Sequence, residues 1–96
     1  MKKLQLLFSK EVMLEDERVM KLDYSLTERF MGMEQDTPYY GVEITKFLDN
    51  LAESDEITGI STSKEDVITI LKKLCQFEVT PISMVEAVDE LVTQGI

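Results

Sequence analysis

The sequence predicts an α+β domain, a four-stranded antiparallel sheet of two hairpins followed by two C-terminal helices packed on one face. Three observations carry this prediction. Apolar residues alternate with polar ones through the first half, most cleanly where Met20, Leu22, Tyr24 and Leu26 oppose Lys21, Asp23, Ser25 and Thr27. A helical period replaces that alternation after Ser63 and again after Thr80. Strands in one run and helices in the next fit a sheet with its helices gathered on one side.

Leu4, Leu6 and Phe8 alternate with Lys3, Gln5 and Leu7, which predicts a first strand with the former set facing inward, continued by Val12 and Leu14. Glu15-Asp16-Glu17 reads as a polar turn into the second strand, the one centred on Tyr24. From Phe30 to Pro38, Phe30, Met31 and Met33 surround Gly32, and Asp36-Thr37-Pro38 supplies turn chemistry. This segment reads as a loop with its large side chains tucked under the sheet; the alternative is an exposed, adaptable Met-rich binding surface. Tyr39 to Leu48 is a third strand, with Tyr40, Val42 and Ile44 on one face and Tyr39, Gly41, Glu43, Thr45 and Phe47 on the other. Gly41 inside it predicts a bulge or a close backbone approach. Asp49 to Asp55 reads as an acidic connector, and Glu56 to Ser61 as the fourth strand.

Ser63 is a helix N-cap, with Asp66 in the capping-box position. Glu65 and Asp66 in the first turn and Lys72 and Lys73 near the last complement the helix dipole. Val67, Ile70, Leu71 and Leu74 form the buried stripe, widened by Ile68 and Cys75. In the second helix Thr80 reads as N-cap and Pro81 as the first helical residue. Its inward face is predicted to be Ile82, Val85, Val88, Leu91 and Val92, with Ser83, Glu86, Asp89, Glu90 and Thr93 outward and Gly95 at its end. No repeat or linker divides the chain, so residues 1–96 form one domain.

Nineteen acidic residues against 10 basic give a net charge of −9. No lysine or arginine follows Lys73. Such a chain repels phosphate backbones, which argues against a nucleic-acid partner. The acidity reads as a solvated, self-repelling surface, the sharper alternatives being a basic protein partner or mimicry of nucleic acid. Cys75, the one cysteine, excludes an internal disulfide and a multi-cysteine zinc site and reads as a small hydrophobe on the helix flank. The apolar patch Leu4–Phe8 is too short for a signal peptide or a membrane span, so the expectation is a cytoplasmic protein without a membrane partner.

Three short stretches, Tyr40-Gly41-Val42-Glu43-Ile44, Ile60-Ser61-Thr62-Ser63-Lys64-Glu65 and Val79-Thr80-Pro81, together resemble the pattern of a family of bacterial domains of about 100 residues and unknown function. The resemblance spans nearly the whole chain and implies a small intracellular protein, with no activity attached.

The chain lacks histidine, the commonest general base and metal ligand. The carboxylate pairs Glu15/Glu17, Asp55/Glu56 and Asp89/Glu90 fall in turns or on polar helix faces, without the burial that separates the pKa values of a catalytic pair. The expectation is therefore a non-enzymatic domain with no metal and no cofactor. Ser61, Thr62, Ser63 and Lys64 offer hydroxyls, helix-start N–H groups and a cation that fit a phosphate or carboxylate, although capping alone also accounts for them. Tyr39 and Tyr40, with Phe30, Met31 and Met33, are candidates for a protein contact. Uncovered sheet edges or faces invite pairing with a second copy. The function these features favour is an interaction or regulatory module, homodimeric in one form, with a small-ligand or anion sensor as the alternative.

Overall fold

The alternation around Tyr24 forms an inner strand of the sheet in the computed structural model, which describes residues 2–30 and 37–94. β1 (Lys2–Met13), β2 (Val19–Arg29), β3 (Tyr39–Leu48) and β4 (Leu51–Ser61) form a four-stranded sheet in chain order, every neighbouring pair antiparallel. Two helices follow, α1 (Lys64–Gln76) and α2 (Met84–Thr93), the second entered through a 3₁₀ turn at Pro81–Ser83. The predicted α+β layout is the observed one.

One core lies between sheet and helices. Met20, Leu22, Tyr24 and Leu26 of β2 and Val42 and Ile44 of β3 meet Val67, Ile70, Leu71 and Leu74 of α1 and Met84, Val88 and Leu91 of α2. Ser63 caps α1 as expected, its Oγ accepting from the Asp66 N–H at 3.3 Å. The reciprocal bond of a capping box is replaced, because the Ser63 N–H donates to Ser61 Oγ at 2.9 Å.

α1 ends in a Schellman motif, in which Val79 N–H donates to the Leu74 carbonyl at 3.0 Å and Glu78 N–H to the Cys75 carbonyl at 3.1 Å. Glu78 holds the left-handed conformation (φ 54°) that such an ending requires. The turn brings the Val79 carbonyl over the sheet, where the buried Tyr24 hydroxyl donates to it at 2.9 Å.

Three expectations are corrected. In β1, Leu4 and Leu6 do not face inward with Phe8: Leu6 pairs with Ser25 but Phe8 with Tyr24, so Leu7 is an extra residue in a bulge. The bulge inverts the strand's parity. Leu7 and Phe8 pack on the core, while Leu4 and Leu6 lie on the opposite face, 53% and 54% exposed. The run Leu6-Leu7-Phe8 carries no alternation that would have marked the switch.

Asp49 to Asp55 is not a connector. Asp49 and Asn50 alone make the turn, both left-handed (φ 54° and 65°) as in a type I′ hairpin, and β4 starts at Leu51. An edge strand wet on both faces accepts Glu53 and Asp55 without cost. In α2, Met84, Val88 and Leu91 point inward, while Ile82, Val85 and Val92 of the predicted inner face are exposed. The 3₁₀ turn after Thr80 shifts the helical phase, and Ser83 rather than Thr80 precedes the α-helix.

Gly41 sits where the sequence placed a close approach. Thr58, Gly59 and Ile60 of β4 oppose it alone, and a Cβ at Gly41 would lie 2.2 Å from the Ile57 carbonyl oxygen. Gly41→Ala is expected to lower stability by about 1–3 kcal/mol in urea denaturation. Tyr24→Phe leaves the Val79 carbonyl without its donor and is expected to cost about 1–2 kcal/mol in the same assay. Burial, with the neighbouring Cys75 and Glu78 charges, raises the Tyr24 pKa above its ordinary value. The stability this provides is complete below the unfolded-state pKa of about 10 and is lost as pH rises toward the higher folded value. The alkaline decline measured for Tyr24→Phe should accordingly be shallower than for wild type.

Candidate interaction surfaces

Among the described residues, no helix lies over one face of the sheet. The molecule measures 18 Å along its thinnest axis, the thickness of one sheet and one helix layer. Strand pairing places Lys2, Leu4, Leu6, Ser9 and Glu11 of β1 on this open face beside Arg29, Thr27, Ser25, Asp23 and Lys21 of β2. Glu43, Thr45 and Phe47 of β3 and Glu56, Ser54 and Ala52 of β4 complete it.

Glu43 and Glu56 are directly opposite each other, a repulsive cross-strand pair by itself. Lys2 resolves it: its Nζ donates to both carboxylates, at 2.9 Å each. Arg29 adds Nε and Nη2 bonds to Glu56 at 3.2 and 3.1 Å. Contact between Lys2 on one edge strand and Glu56 on the other requires the sheet to curl toward its open side, where β4 also folds over Gly41. Under that curl Ser25 is buried and Thr27 is only 1% exposed. Further along, Ser9 donates to Asp23 at 2.7 Å, Thr45 and Ser54 share a hydrogen bond at 2.8 Å, and the Lys21 ammonium lies 5.6 Å from the Phe47 ring centre.

The charges of this face nearly balance. Lys2, Lys21 and Arg29 stand among Glu11, Asp23, Glu43 and Glu56. Partial burial pushes the Glu56 carboxyl up, but the hydrogen bonds from Arg29 and Lys2 outweigh it and hold the pKa below the ordinary carboxylate value. The same bonds from Glu43 and Glu56 raise Lys2. Leu4 and Leu6 stand exposed beside the cluster, and the exposed Phe47, Val19 and Met13 lie toward the far end of the face.

A second apolar surface lies on the helix side. Val85 and Val92 are exposed along the outer flank of α2, and Ile82, in the 3₁₀ turn before it, is 87% exposed. Beside them the β4 bulge forms the other wall of a groove of about 270 Å³, lined by Ile57, Thr58, Gly59, Ile60, Val85, Val88, Asp89 and Val92.

The anion-site candidates do not converge on a vacant pocket. Ser61 and Ser63 spend their hydroxyls on capping, and Thr62 and Lys64 are exposed. Tyr39 and Tyr40 are half-buried at the start of β3, Tyr40 packing against the core, so the pair divides between the two faces. Partial burial and the neighbouring Glu28 carboxylate raise the Tyr40 pKa. Phe30 is exposed at the end of β2 rather than tucked beneath the sheet, while Met31 and Met33 lie outside the described residues. Cys75 is a half-buried free thiol packed against the core. Among the described residues no group of three or more His, Cys, Asp or Glu side chains is placed to hold a metal. No described helix is long and apolar enough to cross a membrane.

Sequence reasoning missed both apolar surfaces for one reason: it assigned Leu4, Leu6, Ile82, Val85 and Val92 to the core. Consecutive apolar residues at Leu6–Phe8 and the Pro81 entry to α2 were the available warnings.

The Glu56 cluster has a pH signature. Its contribution is present above the unfolded-state pKa of about 4.3 and is lost as pH falls through the lower folded value. Denaturation of wild type and Glu56→Gln over a pH series should show a stability gap at neutral pH that closes in acid.

Searches of curated proteins and of solved structures give no match to this chain. The model of a family described as of unknown function, DUF6514, matches residues 3–94, covering both hairpins and both helices. The chain therefore belongs to the DUF6514 family.

Proposed function

We propose that the protein is a non-catalytic contact domain that pairs with a second copy of itself through the open sheet face. The observation that carries this reading is the outward display of Leu4 and Leu6 on a nearly charge-balanced face of a chain whose net charge is −9. Two such chains repel at long range, and they meet at least cost where their charges are already compensated. Area supports the same face. Four strands about 4.8 Å apart, ten to twelve residues long, present on the order of 600 Å² in plan, which approaches the roughly 800 Å² per partner of a stable interface once side-chain relief is counted. Edge-to-edge pairing through β4 is the poorer route, because Glu53, Asp55 and Glu56 would meet their own copies. With a single cysteine the fold uses no internal disulfide, so a reducing, cytoplasmic setting would cost it no stability.

The carboxylates support a structural rather than chemical role. On the open face Asp23, Glu43 and Glu56 are tied to lysine or arginine and Glu11 is exposed, as are the carboxylates of the hairpin turns. Sedimentation over a concentration series should show an 11.0 kDa chain passing to twice that mass. Added salt should tighten the dimer by screening the long-range repulsion. Leu6→Lys should weaken it about tenfold or more. A strict monomer at millimolar concentration and high salt would overturn the reading.

A further inference from the structure

The geometry points to a second docking surface, the groove between α2 and the β4 bulge, whose occupant we infer to be an amphipathic helix of another protein carrying one lysine or arginine among its apolar residues. The inference rests on the reading of the domain as a contact module, and not on the sheet-face dimer.

Within α2, Val85, Asp89 and Val92 fall at i, i+4 and i+7, the spacing of a seam along which two helices pack, and the exposed Ile82 lies in the 3₁₀ turn just ahead of it. The buried side of α2 is made by Met84, Val88 and Leu91, so the exposed aliphatic stripe is left over after the core is closed. A scattered exposed leucine is ordinary; two exposed valines one heptad apart, both lining a groove and preceded by an exposed isoleucine, mark an interaction surface. The opposite wall, Ile57 to Ile60, belongs to the sheet edge, where β-strand addition would be the obvious alternative. The edge is unsuited to it. Three residues bulge there against Gly41, and Gly59 is left-handed (φ 65°), so no regular ladder of N–H and C=O groups continues outward. A helix laid along α2 needs no such ladder.

Charge then selects the kind of helix. Among the described residues, Asp89 is the one charged side chain lining the groove, set between Val85 and Val92. Glu86 and Glu90 flank it on α2, and no lysine or arginine occurs after Lys73. A second copy offering its own α2 would bring these three carboxylates against their equivalents. A helix with apolar residues at the seam and one cation facing Asp89 fills the groove and compensates the charge, and a mismatched charge at that position is rejected.

The test uses a display library of helical peptides about three heptads long, randomised along one face, selected against the full chain. Recovered binders should carry aliphatic residues at seam positions and a lysine or arginine at one central position. In solution they should shift amide resonances of Ile57–Ile60 and Val85–Val92. Asp89→Arg should weaken a selected peptide about tenfold or more and, in a fresh selection, exchange the preferred cation for an aspartate or glutamate. Val85→Asp should abolish binding while leaving self-association in sedimentation unchanged, which separates this surface from the sheet face. Failure to recover any binder, binders that map elsewhere, or binding indifferent to charge at position 89 would each overturn the inference. So would loss of self-association in Val85→Asp, which would show α2 to be the surface for a second copy.

Discussion

The hydrogen bond from Tyr24 to the Val79 carbonyl joins the two layers of the domain. Tyr24 stands on an inner strand with its ring wholly buried, and Val79 is the residue at which the chain leaves α1 and turns toward α2. The Schellman turn supplies the carbonyl and the sheet supplies the donor, a wholly buried tyrosine. The relative position of sheet, α1 and α2 is thereby set at one point where the α1–α2 junction meets the core. A hydrophobic layer alone would allow the helices to slide, since apolar packing is only weakly directional, whereas a buried polar contact has one geometry.

How legible each element was depends on how unambiguous its period was. β2 alternates without interruption and α1 repeats its apolar residues behind an N-cap, and the apolar faces of both were read correctly, although the Schellman ending of α1 was not. β1 was found but its faces were exchanged at the bulge. β4 was found but its first half looked like a loop, because strand propensity scores charged residues poorly and an edge strand does not need them inside. The Asp49-Asn50 pair carried turn information that lay hidden in a longer acidic run. The candidate surfaces were the least legible of all. They are made by apolar side chains on the outside, and a sequence reading sends such residues inward by default.

Charge is distributed so that the acidity does not oppose folding. Each lysine and arginine of the four strands and of the first hairpin turn lies within 4 Å of a carboxylate, with separations such as 2.9 Å for Lys2–Glu43, 3.5 Å for Lys46–Glu53 and 3.7 Å for Lys3–Glu28. Arg18 spans the two hairpin ends by holding both Asp16 and Asp49, and its N–H groups keep the Asp16 carboxyl below the usual range. Exposed pairs of this kind contribute little one by one. Their collective effect is to offset acids locally across the sheet, whereas α2 carries only negative charge, at Glu86, Asp89 and Glu90.

Strand order in the sheet repeats strand order in the chain. No segment therefore has to cross the layer, and two of the three pairings close through tight hairpin turns at Glu15–Glu17 and Asp49–Asn50. Only the joining of β2 to β3 spans a longer excursion, and the entropy of closing it grows merely with the logarithm of its length. Such a chain has little topological search to perform before native contacts reward it. The helices, in turn, have apolar stripes with nothing to cover until that layer exists.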